Sequence, residues 1–349
     1  MREGREDVLM TYVEQLADIC NASWSNITKA RKNAEERHAN IRDILENDLD
    51  FGFPGVYSDD GTLESDMVVF GSLGRDEWTP SSDIDWTLLV DGRADLEHSK
   101  LIRGISDCLK AREFAEPGRT GIFGRMTFSH DILHHIGGEN DTNRNITQRI
   151  LLLLEAKPVG NDSPDGPYSR VIDMVLKRYL ESGTSHQATV PRFLLNDIVR
   201  YWRTMCVDFA WKEWEQGGEK WGERNAKLRI SRKLIFAAGL LVCLQLNRCS
   251  NPIHEELKSS FSRTPLEIMA KFLLSLSDRR EELATEIIGS YDKFLDIMGD
   301  PENRNKLKRR DVDVWQNIKK LSDDFQNGLE NLFFETGELG DLTRTYGVF

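Results

Sequence analysis

Between Phe70 and Val90 the chain reads FGSLGRDEWTPSSDIDWTLLV. This stretch constrains the fold more than any other. Met67 to Phe70 is a run of large apolar residues that suits a short buried strand, and it stops at Gly71. A second strand pattern runs from Asp83 to Val90. Side chains alternate faces along a strand, so Asp83 and Asp85 point the same way as Thr87 and Leu89, while Ile84, Trp86, Leu88 and Val90 point into a core. Two carboxylates on one face, a few ångströms apart, repel each other, and divalent cations between them relieve that repulsion. Mg²⁺ favours sites with one or two carboxylates completed by water and substrate phosphates. Two such ions clamp the attacking and leaving oxygens of a phosphoryl displacement, and Mn²⁺ can substitute.

The turn supplies the complementary half. Gly71 and Gly74 let backbone approach a ligand closely. A helix beginning near Ser72 presents free N–H groups to phosphate. Ser72 adds a hydroxyl and Arg75 a fork of donors. A Gly-Ser turn or a D-x-D pair alone is common on solvated edges. The strand, the turn, the ten-residue gap from Ser72 to Asp83 and the apolar flank together favour a site for a nucleoside triphosphate and its metal.

A chain of 349 residues is too long for one small core. Apolar positions recur at spacings of three and four from about residue 5 to 48, which reads as helix. SKLIRGISDCLKARE reads as helix, RMTFSHDIL as a third strand, and NITQRILLLLEAKPVG as helix or strand. From Pro167 onward nearly everything reads helical, and the end, ETGELGDLTRTYGVF, loses periodicity. The expected organisation is an α+β core, a small mixed sheet flanked by helices, plus a C-terminal helical domain. Its expected parts are an N-terminal helix packing on the core (1–48), a catalytic domain (49–166), a helical domain (167–335) and a flexible tail (336–349). The longest apolar run, LIFAAGLLVCLQL, is too short to cross a bilayer. The N-terminus lacks the hydrophobic core of a signal peptide, and five scattered cysteines give neither a disulfide framework nor a zinc pattern. These features predict a cytoplasmic protein that is not itself in the membrane. The net charge of −12 argues against stable binding of duplex DNA through overall charge.

On Gly71, Ser72, Asp83 and Asp85 the sequence resembles the nucleotidyltransferase superfamily related to DNA polymerase β. Its signature is an apolar strand, Gly-Ser or Gly-Gly, about ten residues, then Asp-x-Asp/Glu. Gly71 to Arg75 and Ser82 to Asp85 are similar to the Gly-Ser-x-Gly-Arg and Ser-Asp-x-Asp of the PII uridylyltransferases and related bacterial nucleotidyltransferases. The resemblance covers roughly Met67 to Gly160 and implies transfer of NMP or dNMP from a nucleoside triphosphate to a hydroxyl, with two Mg²⁺ ions and release of pyrophosphate. It places Asp83 and Asp85 on the metals and Gly71, Ser72, Gly74, Arg75 and Ser82 on the nucleotide. In the uridylyltransferase branch an apolar run ends Leu-Glu-Ala-Arg. The run LLLLEAKPVG matches it, with Lys157 in place of Arg, and nominates Glu155, over its rival Asp131, as a third carboxylate that would complete the catalytic metal or deprotonate the attacking hydroxyl.

The run RNAKLRISRKL carries cations without an acid. Arg229, Arg232 and Lys233 share a helical face, which is either solvated or offers Arg229 and Lys233 to the triphosphate or to a single-stranded oligonucleotide product. Asp197, Arg200 and Arg203 suit an internal ion pair, and Tyr201 or Trp202 could stack on a base. His130 and His134 lie four apart without a third ligand. The run NRNKLKRRDVD reads as surface. In plan the chain is also similar to the Hailong anti-phage group, whose nucleotidyltransferase starts short DNA oligomers from dATP on a C-terminal tyrosine and works with a membrane effector encoded nearby. That similarity implies Tyr346 as primer. The competing expectations are a protein- or tRNA-modifying nucleotidyltransferase and a non-catalytic nucleotide sensor.

Overall fold

A computed structural model describes residues 10–49, 53–80, 82–114, 123–181, 190–215, 217–218, 220–246 and 252–347. Its architecture is α+β. The apolar stretches flanking the Gly-Ser turn form β1 (Ser65–Phe70) and β2 (Asp85–Val90), antiparallel, with Phe70 opposite Asp85 and Val68 opposite Thr87. β3 (Arg125–Phe128) runs parallel to β2, and the short β4 (Lys157–Pro158) pairs with β1, giving the order β3-β2-β1-β4. The third-strand reading is confirmed only for its first half, because Ser129–Leu133 turns helical. Strand alternation sorts the sheet as the sequence predicts. Met67, Val69, Trp86, Leu88 and Val90 bury one face against Ile41, Leu45, Leu101 and Ile105, while Val68, Phe70 and Leu89 bury the other against the large helical core.

The helices that cover the first face are α2 (Ser25–Asp48) and α4 (Leu96–Ala111). The first reads continuously with α1 (Tyr12–Ile19) in the sequence, yet the structure separates them at Asn21, whose φ of 47° is left-handed. Both are capped from afar. Glu267 accepts from the backbone N–H groups of Tyr12 and Val13 at 2.8 and 3.3 Å, and Asp292 accepts from those of Asn26 and Ile27 at 2.9 and 3.0 Å. Carboxylates there satisfy free N–H groups and complement the helix dipole.

Beyond the single turn α3 (Gly71–Gly74) and α5 (Ser129–Leu133), the remaining helices are α6 (Asn143–Leu154), α7 (Pro167–Glu181), α8 (Arg192–Glu215), α9 (Trp221–Lys227), α10 (Lys233–Gln245), α11 (Ile253–Phe261), α12 (Pro265–Ser275), α13 (Arg280–Ala284), α14 (Ser290–Gly299), α15 (Pro301–Lys308), α16 (Val312–Glu335) and α17 (Gly337–Leu342). The apolar run at Leu234 forms the buried α10. Among the described residues no helix is long and apolar enough to cross a membrane. Arg149, fully buried on α6, ties α6 to α5, α7 and α8. Its guanidinium donates to Asp141, Asp197, the Tyr179 hydroxyl and the Ile132 carbonyl. Asp197 thus takes the internal ion-pair role its spacing suggests, with Arg200 at 3.5 Å. Residues 337–347, aperiodic in the sequence, form α17 and a π-helical turn against α16 rather than an irregular end.

Candidate active site

β1 delivers the chain to Gly71 beside the start of β2, so the turn lies directly against Asp85. Gly71 has φ +66°, and a Cβ there would stand 3.1 Å from Asp85 Oδ2. Glycine therefore serves both the left-handed backbone and the close approach of the carboxylate. Asp85 opens β2 and Asp83 precedes the strand, exposed. Burial first, then Asp83 and Glu155, push the Asp85 carboxyl up from 3.8 to about 7, against the pull of Lys227 and Arg232.

These groups form the floor of a cavity of about 520 Å³ lined by Gly71, Ser72, Arg75, Ser82, Asp83, Asp85 and Glu155. Seven residues nominated from the sequence thus meet at one place. Ser82 is steadied in its turn by Thr79, 3.0 Å between hydroxyls. Gly74 does different work from the ligand approach expected of it. A Cβ there would come within 2.1 Å of the Glu155 carbonyl, so Gly74 lets the turn pack on the backbone that carries Glu155. Asp131 is exposed and does not line the cavity.

Arg75 is buried between two carboxylates. Its Nε donates to Glu77 at 2.9 Å and its Nη1 to Glu155 Oε2. Two donors of the fork expected on phosphate are thus engaged inside the protein. Glu77 is 2% exposed, also accepts from the Tyr291 hydroxyl at 2.8 Å, and burial pushes its carboxyl up. Tyr291, fully buried on α14, therefore ties the turn to the helical region.

Another part of the cavity lining is basic. Lys212, Lys227, Arg232 and Arg304 line it, with Tyr201 and Met205 from α8. Arg229 and Lys233, the cations nominated from the sequence, do not. Arg229 donates to Asn225 at 2.8 Å and Ser322 at 3.4 Å, and Lys233 to Gln326 at 2.5 Å. The reason is local. Leu228–Arg232 is π-helical, so i→i+5 bonding widens the turn and brings Lys227 and Arg232, five apart, to the same side. An α-helical face reading groups Arg229 and Lys233 with Arg232, whereas only Arg232 of the three lines the cavity. Glu223 balances part of this wall through Arg304 at 2.7 Å and Lys227 at 3.0 Å, which hold its carboxyl down at about 2 despite burial. Arg232 has no carboxylate partner among the described residues and instead rests against Met205 Sδ at 2.9 Å.

Tyr201 is buried with an edge on the cavity, whereas Trp202 stacks on Phe236 with centroids 5.3 Å apart. His130 and His134 pack ring on ring at 4.4 Å and lie outside the cavity. Tyr346 is also outside it. Arg192, at the start of α8, lies over the Tyr346 ring at 5.1 Å. Tyr201 is nine residues further along that helix, roughly 14 Å at 1.5 Å per residue.

Among the described residues no group of three or more His, Cys, Asp or Glu side chains is arranged to hold a metal ion. The donor set still fits Mg²⁺. Asp83 and Asp85 offer hard oxygen ligands, Asp85 lacks a neutralising partner at contact distance among the described residues, and Mg²⁺ takes its remaining ligands from water and phosphate. Sequence reasoning missed Glu77 and Tyr291, although an acid two residues after Arg75 hinted at an internal pair. It also missed the placing of Lys212 and Arg304, which only packing reveals.

No curated protein matches the chain. Residues 57–114, which hold β1, the turn, the aspartate pair and α4, match the family model described as nucleotidyltransferase domain, and the chain carries that domain.

Proposed function

We propose that the protein is a nucleotidyltransferase that moves NMP or dNMP from a nucleoside triphosphate to the 3′-hydroxyl of a single-stranded oligonucleotide without a template. The observation that carries this reading is that the paired aspartates line one cavity together with Lys227 and Arg232, whose charges act on the Asp85 carboxyl. Asp83 and Asp85 hold the divalent cations. Ser72, Ser82, Lys227 and Arg232 orient the phosphates. The acceptor oxygen bonds to the α-phosphorus while the bond to the bridging oxygen breaks, and pyrophosphate leaves towards the basic wall. Glu155, with Oε2 held by Arg75, takes the acceptor proton on Oε1. Mg²⁺, when bound, stabilises charge on the reacting phosphate and the departing pyrophosphate.

The test supplies the full chain with Mg²⁺ and each α-labelled NTP or dNTP, with and without a single-stranded oligonucleotide. Products are resolved on a denaturing gel before and after protease. Label on the strand, lost in Asp83→Ala/Asp85→Ala, supports the reading. Label that stays on a protein until protease indicates protein modification instead. If that label sits on this chain and disappears in Tyr346→Phe, the acceptor is Tyr346. No transfer from any nucleotide sinks the proposal.

A further inference from the structure

Other buried tyrosines use their hydroxyls inside the protein. Tyr179 donates to Asp197 at 2.7 Å and Tyr291 to Glu77 at 2.8 Å. Half-buried Tyr168 donates to the Leu152 and Ala156 carbonyls at 2.9 and 3.2 Å. Tyr201 on α8 differs. It is 1% exposed and lines the cavity, yet among the described residues its hydroxyl makes no hydrogen bond. Nor is that hydroxyl fully sealed, as the unpartnered Glu77 Oε1 and Trp78 Nε1 are. The small surface that Tyr201 keeps therefore includes the oxygen, which opens on the cavity. An unpaired buried hydroxyl is unfavourable, and phenylalanine would fill the same space without it. Solvent in the open cavity satisfies the hydroxyl in the free protein, and a ligand that expels this solvent must bring a partner.

We infer that the Tyr201 hydroxyl is a binding group of the cavity, donating to a phosphate oxygen of the nucleotide. Two observations set that chemistry. Arg232, which lines the cavity without a carboxylate partner among the described residues, reaches Met205 Sδ at 2.9 Å, and Met205 is one helical turn along α8 from Tyr201. The charges acting on the phenol are those of Glu155, Arg232 and Arg75, the last already engaged by Glu77 and Glu155. Burial and then Glu155 push the phenol up against the two arginines, so the hydroxyl keeps its proton and donates. A phosphate oxygen only accepts, and it brings the negative charge that suits Arg232. The buried ring leaves no face on which a base could stack, so only the hydroxyl meets the ligand. This inference rests on the reading of the cavity as a nucleotide site and adds a residue that holds its phosphates.

The experiment is calorimetry on the full chain with Mg²⁺, using in turn inorganic tripolyphosphate, the α,β-methylene analogues of the four common nucleoside triphosphates, and the parent nucleosides. Thermal melts without ligand accompany it. Tyr201→Phe should weaken binding of tripolyphosphate and of nucleotide roughly tenfold each, the scale of one hydrogen bond to a charged group, and leave nucleoside binding unchanged. Its ligand-free melting point should stay within about 2 °C of wild type or rise, because no internal bond is lost. Tyr179→Phe should do the reverse, melting lower and binding as wild type, because its hydroxyl serves Asp197 and Arg149. Unchanged affinity of Tyr201→Phe for tripolyphosphate overturns the inference and leaves the cavity reading intact. A loss seen only with nucleosides and nucleotides also overturns it, since the hydroxyl then serves the base or sugar. So does a ligand-free melting point lowered by more than about 5 °C, the mark of an internal partner. No binding of any triphosphate by wild type sinks the cavity reading and the inference with it. Tyr201-dependent binding without pyrophosphate release sinks the transfer reaction alone and leaves the inference standing.

Discussion

The two walls of the cavity are made in opposite ways. The acidic floor is almost entirely local: Gly71, Ser72, Asp83 and Asp85 lie on one strand-turn-strand unit, and only Glu155 comes from elsewhere. The basic wall is assembled from distant pieces, with Lys212 on α8, Lys227 on α9, Arg232 at the end of a π-helical turn and Arg304 on α15. The family match follows the same line, covering the aspartate pair and none of the basic wall. Chemistry set by a strand and a turn is written in consecutive residues. Chemistry set by helix packing depends on a register that tertiary contacts decide. In the proposed reaction the floor carries the bond-making step and the wall holds the phosphate chain.

The largest effect belongs to the floor. Asp83→Ala and Asp85→Ala should each lower transfer by at least roughly 10²- to 10³-fold, the scale of losing one group that stabilises the transition state. Circular dichroism should show the fold retained, and activity within tenfold of wild type would break the assignment. Next comes the junction of the two walls. Arg75→Ala leaves Glu77 and Glu155 buried without their cation and should cost about 3–5 kcal/mol in urea unfolding. A loss under about 1 kcal/mol would mean that the carboxylates neutralise on their own. On the basic wall, Lys227→Ala and Arg232→Ala should each raise the nucleotide KM roughly tenfold, as expected for one charged hydrogen bond. Arg229→Ala and Lys233→Ala should change it less than about threefold; the reverse pattern would show that the π-helical register is not the working one.

The cation-free protein should also show a pH dependence. The Asp85 carboxyl, raised from 3.8 to about 7 by burial and then by Asp83 and Glu155, keeps a proton in the folded chain that the unfolded chain releases. Its contribution is full below about pH 4 and is lost as pH rises to about 7, so cation-free stability declines across that window. A divalent cation binds the ionised form. Mg²⁺ should therefore stabilise the protein more as pH rises through about 7, and Asp85→Asn should flatten both trends in thermal melts.

What the sequence made legible follows the same division. Alternation in Asp83–Val90 predicted which side chains meet the core, and the structure agrees from Asp85 onward, because burial on both faces fixes strand register. Glu155 was reachable from its apolar run and reaches the cavity. Arg229 and Lys233 were misplaced because periodicity assumes 3.6 residues per turn and Leu228–Arg232 does not obey it. The break at Asn21 was invisible because apolar spacing continues across it. The residues after Glu335 lost their pattern because a single helical turn and a π turn are too short to show one. Arg75 had the right chemistry for phosphate and a nearer partner in Glu77.

The central claim is that the two walls jointly hold a triphosphate and its cation. The most direct measurement is calorimetric binding of a non-reactive α,β-methylene nucleotide with and without Mg²⁺ to wild type, Asp85→Asn and Arg232→Ala. The account predicts Mg²⁺-dependent binding by wild type, loss of that dependence in Asp85→Asn, and binding by Arg232→Ala that is weaker but still strengthened by Mg²⁺. Affinity unchanged by either substitution would contradict it.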